Sequence, residues 1–373
     1  MFLALREMSR AKARFGLLVV ALGMLAFLIL FQQSIQSGLL TSFVGAIRNQ
    51  TAPVLVYSVD GQRVIQGSII TPELEALVAD APGVGDVGRI GQSTFSVTDA
   101  DGELTDVSVL GYEVKELGAP RALAEGRYPE AAGEAIGSDN DAGAGFGLGD
   151  TVTVQPNGFE LTIVGLAADV QLNAGPTLFV AYDDYVAVVK SVNPDAGEPL
   201  PNVLGVAPAD GTTTDQLTLG INDASTDLDA LTKDEAADLT PGVAQVRQSF
   251  QVIFLLYGLV IPCVTGLFFL IITFQKSDAL TLLRAIGAPA RRLVAALVLQ
   301  ATIIVVAGYA VGLALYAPLS QRRIATVQLR FETSAVIAWA VILLVLGVGS
   351  SLFAARRVLR IDPIEATTGG ANR

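Results

Sequence analysis

A glycine-rich stretch is the first place where this sequence could carry chemistry. Residues 142–150 read Ala-Gly-Ala-Gly-Phe-Gly-Leu-Gly-Asp, which superficially resembles a phosphate-binding loop. Such loops need a following helix whose N-terminus faces the phosphate, but the next residues, Thr151–Val154, have the composition of a strand. We therefore interpret the stretch as a turn. The chain also contains no Gly-Lys pair, so it lacks a P-loop, and we expect it not to hydrolyse ATP itself.

The residue types exclude much other catalytic chemistry. The sequence contains no histidine, which excludes histidine-based triads, histidine proton shuttles and the common zinc sites that contain histidine. Acidic pairs such as Asp183-Asp184 belong to a segment that is acidic throughout, so solvated surface is the simpler interpretation. We predict no catalytic residue, no metal site and no cofactor on this chain. A membrane-anchored enzyme is correspondingly disfavoured.

Four long uncharged stretches indicate a membrane protein. Only 16% of the 373 residues are charged, whereas about 25% is usual in soluble domains. About 20 apolar residues suffice to cross a bilayer core, and each stretch has at least 23 residues. The stretches are Phe15–Ile47, Ser249–Gln275, Leu293–Gln321 and Thr333–Ala355. The predicted fold class is therefore membrane α-helical with four transmembrane helices, the first of them a permanent span and not a cleaved signal peptide.

The residues between the first two stretches form a separate acidic domain. Residues 37–248 contain 9 basic and 31 acidic side chains, a net charge of −22, while the rest of the chain carries +10. An acidic surface repels phosphates, so no nucleic acid is expected among the partners. The single cysteine, Cys263, lies outside this domain, which must therefore be held together by its own core.

Residue patterns predict that this domain is α+β. Runs of β-branched residues predict strands at Val54–Val59, Thr105–Leu110, Thr151–Val154, Leu161–Val164, Thr177–Val180 and Val203–Val206. A helix is expected to begin after Thr71, which can cap it, at Pro72, which suits the first helical position. Another is expected near Thr214–Ile221. Strands and helices do not alternate regularly, so a doubly wound sheet is not expected.

Basic residues orient the spans. They cluster before the first span, between the second and third, and after the fourth, and the positive-inside rule makes that side cytoplasmic. Both termini are then cytoplasmic, and the protein is expected in the plasma membrane of a bacterium. The expected segments are a cytoplasmic amphipathic segment at 1–14, transmembrane helices at 15–36, 249–275, 294–319 and 334–355, an extracytoplasmic domain at 37–248, a cytoplasmic helix at 276–293, an outer loop at 320–333 and a cytoplasmic tail at 356–373.

The cytoplasmic helix at 276–293 is predicted to be amphipathic. Ala279, Leu282, Leu283 and Ile286 recur at helical spacing, and Gly287 can end the helix. A short amphipathic helix suits docking into a groove of a partner protein. A helix resting on lipid fits the pattern equally well.

At this helix the sequence resembles a known family. Leu283-Arg-Ala-Ile-Gly-Ala288 resembles the signature of the MacB/FtsX-like permeases, and residues 354–366 resemble their closing motif. The acidic domain contributes, in the family's usual order, Glu125-Gly-Arg127, Gly133-Glu134, Gly149-Asp150 and Val164-Gly165. The Gln275-Lys276 start is similar to the DevC-like and haem-exporter branch, whereas many members start with glutamates.

The resemblance implies that this chain is the permease subunit of an ABC transporter. Because the sequence lacks a P-loop, we expect no fused ATPase, so an ABC ATP-binding subunit would be a partner and would hold ATP and magnesium. The family implies a homodimer of permeases with two ATPases, which transmits closure through helices to the outer domain (mechanotransmission). Whether an adaptor protein is also required stays open. The residues expected to couple to the ATPase are Lys276, Asp278, Leu282, Leu283, Arg284, Ile286, Gly287 and Ala288.

Polar and small residues inside the spans are candidates for cargo contact and helix packing. Gln32, Gln33 and Gln36 near one end of the first span, and Tyr257 in the second, are polar groups that a laterally entering cargo could meet. Anchoring at the membrane interface is the alternative. Gly308-x-x-x-Gly312 in the third span could allow close helix contact.

The functional hypothesis is export of an amphiphilic cargo driven by the partner ATPase. The alternative is an FtsX-like regulator that activates an extracellular cell-wall hydrolase and moves no cargo. The large outer domain favours the transporter-type members of the family. Haem, a drug, a lipid, a peptide and a lipoprotein all stay open as cargo.

Overall fold

The computed structural model describes residues 12–195, 197–275, 289–320, 323–324, 327–329 and 331–359. The described residues form two compact units. The first, called here the inserted domain, comprises residues 38–247 together with residues 327–328. The second, called the helix unit, comprises the other described residues before and after that domain.

Helices and strands alternate irregularly along the described residues. The α-helices are α1 (Lys12–Arg48), α2 (Pro72–Ala79), α3 (Tyr182–Val192), α4 (Thr214–Ala224), α5 (Lys233–Leu239), α6 (Val243–Gln275), α7 (Ala290–Tyr316) and α8 (Thr333–Leu359). The strands are β1 (Val54–Ser58), β2 (Val84–Thr98), β3 (Leu104–Tyr112), β4 (Leu123–Gly126), β5 (Glu134–Ser138), β6 (Thr151–Val154), β7 (Phe159–Ala167), β8 (Thr177–Ala181), β9 (Val203–Pro208), β10 (Leu228–Thr232), β11 (Arg323–Ile324) and β12 (Val327–Gln328). Short 3-10 helices lie at Val59–Gly61, Ile65–Gly67, Lys115–Leu117 and Asp139–Ala144.

The four long helices α1, α6, α7 and α8 are long and apolar enough to cross a membrane, as the uncharged stretches predict. Helices α1, α6 and α8 begin before the segments expected from the sequence or end after them, whereas α7 begins before its expected segment and also ends before the end of that segment, Leu319. Helix α1 has 37 residues and departs from helical geometry only at Val44 (φ −132°, ψ 16°). Helix α6 has 33 residues and contains Pro262.

The inserted domain is built on one mixed sheet of ten strands. Their order is β10-β1-β9-β2-β3-β8-β5-β7-β4, and β6 pairs with both β2 and β7. Two of the pairings, β3 with β8 and β5 with β7, are parallel, and the others are antiparallel. Strand β2 has 15 residues and pairs with β3, β6 and β9. The domain is therefore α+β, as predicted, and a doubly wound sheet is absent from its described residues.

Three apolar cores hold this sheet to its helices. One lies under α2 and α4 and includes Ile70, Val78, Leu217 and Ile221. The second packs Tyr185 and Val188 of α3 against β3 and β5 to β8. The largest core joins the sheet to the last residues of α1, to α5 and to the first residue of α6. Burial of this apolar surface is the main favourable term in folding the domain.

Local sequence signals set several helix starts. The Thr71 hydroxyl accepts a hydrogen bond from the backbone N–H of Leu74, and Pro72 occupies the first turn, as predicted. Thr213 and Thr232 form capping boxes with Gln216 and Glu235 at the starts of α4 and α5. Each cap satisfies backbone N–H groups that have no partner inside the helix.

Candidate functional site

The residues predicted to couple to an ATPase lie outside the described part of the chain. This applies to Lys276, Asp278, Leu282, Leu283, Arg284, Ile286, Gly287 and Ala288. Most of the amphipathic segment at 1–14 and of the tail at 356–373 also lies outside it. These assignments stay predictions from the sequence.

Glycines make the contact between α1 and α7. A Cβ atom added to Gly312 would lie 2.6 Å from the carbonyl oxygen of Gly23 and 2.7 Å from the Cβ of Ala26. One added to Gly308 would lie 2.8 Å from the Cβ of Leu22. The two backbones therefore approach at a distance that a larger side chain would prevent. The Gly-x-x-x-Gly pattern lies at this contact, and its partner Gly23 was not anticipated from the sequence.

Two of the predicted cargo-facing residues meet in an aromatic cluster. Gln33 Oε1 accepts a hydrogen bond from Trp339 Nε1 at 3.5 Å. The ring centroid of Trp339 lies 5.3 Å from that of Phe254, which lies 6.4 Å from that of Tyr257. We call Gln33, Phe254, Tyr257 and Trp339 the aromatic cluster. It presents one amide, one hydroxyl and the faces or edges of three rings.

The other two glutamines take different environments on α1. Gln36 is buried and Gln32 is half-buried. The sequence reasoning missed Trp339, although it is the single tryptophan of the chain. Its indole N–H needs a hydrogen-bond partner when it leaves water, and this need is a signal that could have linked it to a glutamine.

An apolar groove of about 860 Å³ opens between α6 and α8. This volume lies within the range of about 300–1,000 Å³ that is common for ligand pockets. Most of its lining is apolar. The lining residues are Pro262, Cys263, Gly266, Leu267, Leu270, Val345, Leu346, Gly349 and Ser350.

The motif residues of the inserted domain converge on strand β7. Arg127 donates from Nη1 to Glu134 Oε2 at 2.7 Å, and its Nη2 donates to Oε1. The backbone N–H of Arg127 donates to the carbonyl of Val164 at 3.0 Å. Gly165 leaves room for the Arg127 carbonyl, which a Cβ would strike. These residues therefore fasten β4 and β5 to β7, which is a structural role.

The Arg127–Glu134 pair changes the pKa of its carboxyl group. The hydrogen bonds from Arg127 hold the pKa of Glu134 well below its usual range, at about 2, and backbone N–H groups of Glu130 and Ala131 add to the effect. The glycine-rich stretch lies nearby in the chain and precedes strand β6 as predicted. There Asp150 Oδ2 accepts a hydrogen bond from the N–H of Gly147 at 2.6 Å, which is typical of a turn.

The chain enters and leaves the inserted domain at one ion-pair cluster. Arg48, the last residue of α1, and Arg247, near the start of α6, both donate from Nη2 to Oδ1 of Asp238. The Arg247–Asp238 distance is 2.7 Å. Hydrogen bonding and charge from Arg247, and then the charge of Arg48, lower the pKa of Asp238. We call Arg48, Asp238 and Arg247 the arginine–aspartate clamp. No local sequence pattern predicts it.

Comparison with known proteins finds a family model that matches part of the chain after residue 250. Residues 251–363 match the family model described as FtsX-like permease C-terminal. The match covers α6, α7 and α8 and also the predicted coupling helix.

Two relatives align over nearly the whole chain. The hemin transport system permease protein HrtB of Staphylococcus haemolyticus is 21% identical over 382 aligned residues, which cover 99% of both chains. An uncharacterized ABC transporter permease of Mycobacterium tuberculosis is 24% identical over 379 residues, again 99% of both.

Among solved structures, the periplasmic region of MacB from Actinobacillus actinomycetemcomitans is similar to part of this chain. It aligns with a TM-score of 0.37 at 14% sequence identity. The alignment covers 50% of this chain and 92% of that one.

Proposed function

Because the chain is an FtsX-like ABC transporter permease, we propose that it couples ATP hydrolysis by a separate ATP-binding subunit to the extrusion of an amphiphilic cargo. The observation that carries this proposal is the family match over residues 251–363, which includes the segment 276–288 with its Leu-Arg-Ala-Ile-Gly-Ala signature. The chain has no P-loop of its own. ATP and magnesium would therefore be held by the partner.

Coupling would run through the cytoplasmic helix. Leu282, Leu283 and Ile286 would form its apolar face and would dock into a groove of the ATPase. The other assigned residues would set the polar contacts and the end of the helix, namely Lys276, Asp278, Arg284, Gly287 and Ala288.

The assembly would contain two permeases and two ATPases. ATP-driven closure on the cytoplasmic side would be transmitted to the inserted domain on the outside, with both chain termini in the cytoplasm. The basic clusters that flank the spans support this orientation. An adaptor protein could join the inserted domain.

Cargo would meet the aromatic cluster and the apolar groove. Three aromatic rings suit the flat face of a ring system, while the groove suits an apolar body. A relative named for hemin transport makes hemin the first compound to test. Stimulation of ATP hydrolysis by hemin in the reconstituted complex would support transport.

A charge in the coupling helix should separate the permease from its ATPase. We expect Leu283→Asp to abolish co-purification of the ATP-binding subunit, because a carboxylate cannot enter an apolar groove without a large desolvation cost. Membrane insertion should be retained. The matched control is Leu104→Asp, at a side chain of the inserted domain that is 70% exposed, and it should bind the ATPase normally.

Undiminished recruitment by Leu283→Asp would remove the coupling assignment. Failure of the unmodified chain to bind any ATP-binding subunit would contradict the proposed function itself. An ATPase recruited together with a cell-wall hydrolase, without stimulation by any cargo, would support the regulatory alternative.

A further inference from the structure

Two segments connect the inserted domain to the rest of the chain. We call residues 42–49 the lead-in segment and residues 243–247 the lead-out segment. The lead-in segment is fixed by backbone hydrogen bonds to the loop at 171–174, including Ala46 N–H to the Gln171 carbonyl at 3.0 Å and Asn173 N–H to the Phe43 carbonyl at 3.0 Å. The lead-out segment begins with the buried Val243.

Both segments share one apolar core with helix α5. This core contains Ala46 and Ile47 of the lead-in segment, Ala236 and Ala237 of α5, and Val243 of the lead-out segment. Apolar contact is non-directional, so such a core holds the segments together but sets their relative position only loosely. Directional contacts are needed to fix it.

The arginine–aspartate clamp supplies those directional contacts. Asp238 follows the buried Ala237 on α5, so its backbone is held by the core. Its carboxylate accepts hydrogen bonds from one arginine of each segment. Asp234, one turn earlier, lies 3.9 Å from Arg48. Charge-assisted hydrogen bonds with arginine are geometrically specific.

Helix position explains why one carboxylate serves two arginines. Arg48 ends α1, where the helix dipole favours a cation, whereas Arg247 lies beyond the first turn of α6, where the dipole gives a cation no such support. Asp238 compensates the charge of Arg247 and binds Arg48 with the same oxygen. Arg247 lies four residues after Val243, hence on the same face of α6, so the core contact and the ion pair act on one side of the helix.

We propose that Asp238 is a positioning residue for transmission: it binds the lead-in and lead-out segments to each other so that a displacement of either moves both. The proposal rests on the proposed function, since it assigns a route for the transmitted motion. Each arginine is more than a third exposed, so each pair alone is weak. The clamp therefore acts by orientation and not by adding much to the stability of the fold.

Spin labels on the two segments test this proposal in the full chain. Cys263 is the only cysteine, so Cys263→Ser gives a background into which Phe43→Cys and Ala244→Cys, both at exposed positions, place one label on each segment. Labelled chain is diluted with unlabelled chain, so that a complex carries one labelled copy. Distances are measured without nucleotide and after trapping with ATP and vanadate.

With the clamp intact, the two labels should give one narrow distance distribution that is the same in both states. In Asp238→Asn, the distribution of distances between the labels should broaden, and the mean distance should shift on trapping. The matched control is Asp229→Asn, which breaks the Arg63–Asp229 pair (2.7 Å) of the same domain and should behave as the parent. Inverting the charges, with Arg48→Glu, Asp238→Arg and Arg247→Glu together, should restore the narrow distribution.

An unchanged distribution in Asp238→Asn would overturn the proposal. Equal broadening in Asp229→Asn would also overturn it, because the effect would then be a general one of lost ion pairs. The nucleotide-free measurement needs no ATPase. A chain that recruits no ATP-binding subunit would therefore contradict the proposed function while the nucleotide-free measurement still reports on Asp238.

Discussion

The inserted domain and the helix unit achieve close packing by opposite means. In the inserted domain large side chains such as Tyr57, Phe146 and Phe179 are fully buried. In the helix unit a close contact between backbones is made by Gly23, Gly308 and Gly312, while leucines such as Leu17 and Leu255 are exposed. Water drives apolar side chains together, whereas lipid is as apolar as leucine, so helices in a bilayer associate through close backbone approach.

The largest expected effect is the loss of a large core side chain from the inserted domain. Phe179→Ala should destabilise the domain by about 3–5 kcal/mol, because it removes apolar burial and leaves a cavity. Urea titration of the full chain in nanodiscs, read by pulse proteolysis, measures this change. Leu104→Ala, at an exposed position, should shift stability by no more than about 0.5 kcal/mol. Equal effects of the two would contradict the core assignment.

Enlarging a side chain should be the damaging change in the helix unit. Gly312→Leu is expected to cost about 1–3 kcal/mol or more, because the added atoms meet the Gly23 carbonyl and Ala26. The melting temperature in detergent reports it. Gly258→Leu on α6 is the matched control, since a Cβ there meets no atom within 4 Å. If both variants have the same melting temperature, the glycine contact does not hold α1 to α7.

The smallest effect concerns the Arg127–Glu134 pair and appears only in acid. The pKa of Glu134 is about 2 in the folded domain against an ordinary value of 4.5, so the unfolded chain binds the proton first. The pair's stabilisation is therefore complete above about pH 4.5 and is lost as the pH falls toward 2. Glu134→Gln should flatten this part of the stability–pH curve, as followed by unfolding at several pH values. An unchanged acid slope in Glu134→Gln would show that the pair contributes nothing.

Much of the inserted domain follows from local composition. All six predicted strands overlap strands of the sheet, and Thr71 and Pro72 mark the start of α2. The sequence reasoning missed β2, β4, β5 and β10 and helices α3 and α5. Strand β2 carries Gly85, Gly88 and Gly91, which weaken a strand signal. A side chain at Gly91 would strike the ring of Tyr185 from α3, so the reason for this glycine lies in a helix 94 residues away in the chain.

Some residues of the candidate sites could likewise be predicted from local sequence, and others could not. Gly308 and Gly312 could be recognised from their spacing, because a helix places residues four apart on one face. Asp238 could not, because it meets Arg48 across 190 residues and nothing in the local sequence distinguishes it from the 30 other acidic residues between positions 37 and 248. Trp339 and Gln33 are likewise 306 residues apart. Contacts between distant segments depend on the fold and not on local pattern.

The shared carboxylate at Asp238 also bears on how such a chain can be rebuilt. An insertion whose two ends are fastened at one point can be exchanged as a cassette, because its removal leaves a short gap between the flanking helices. The fastening residues travel with the cassette, since Arg48, Asp238 and Arg247 all belong to the inserted domain. Recombination at two sites could thus exchange the inserted domain while the helix unit stays as it is.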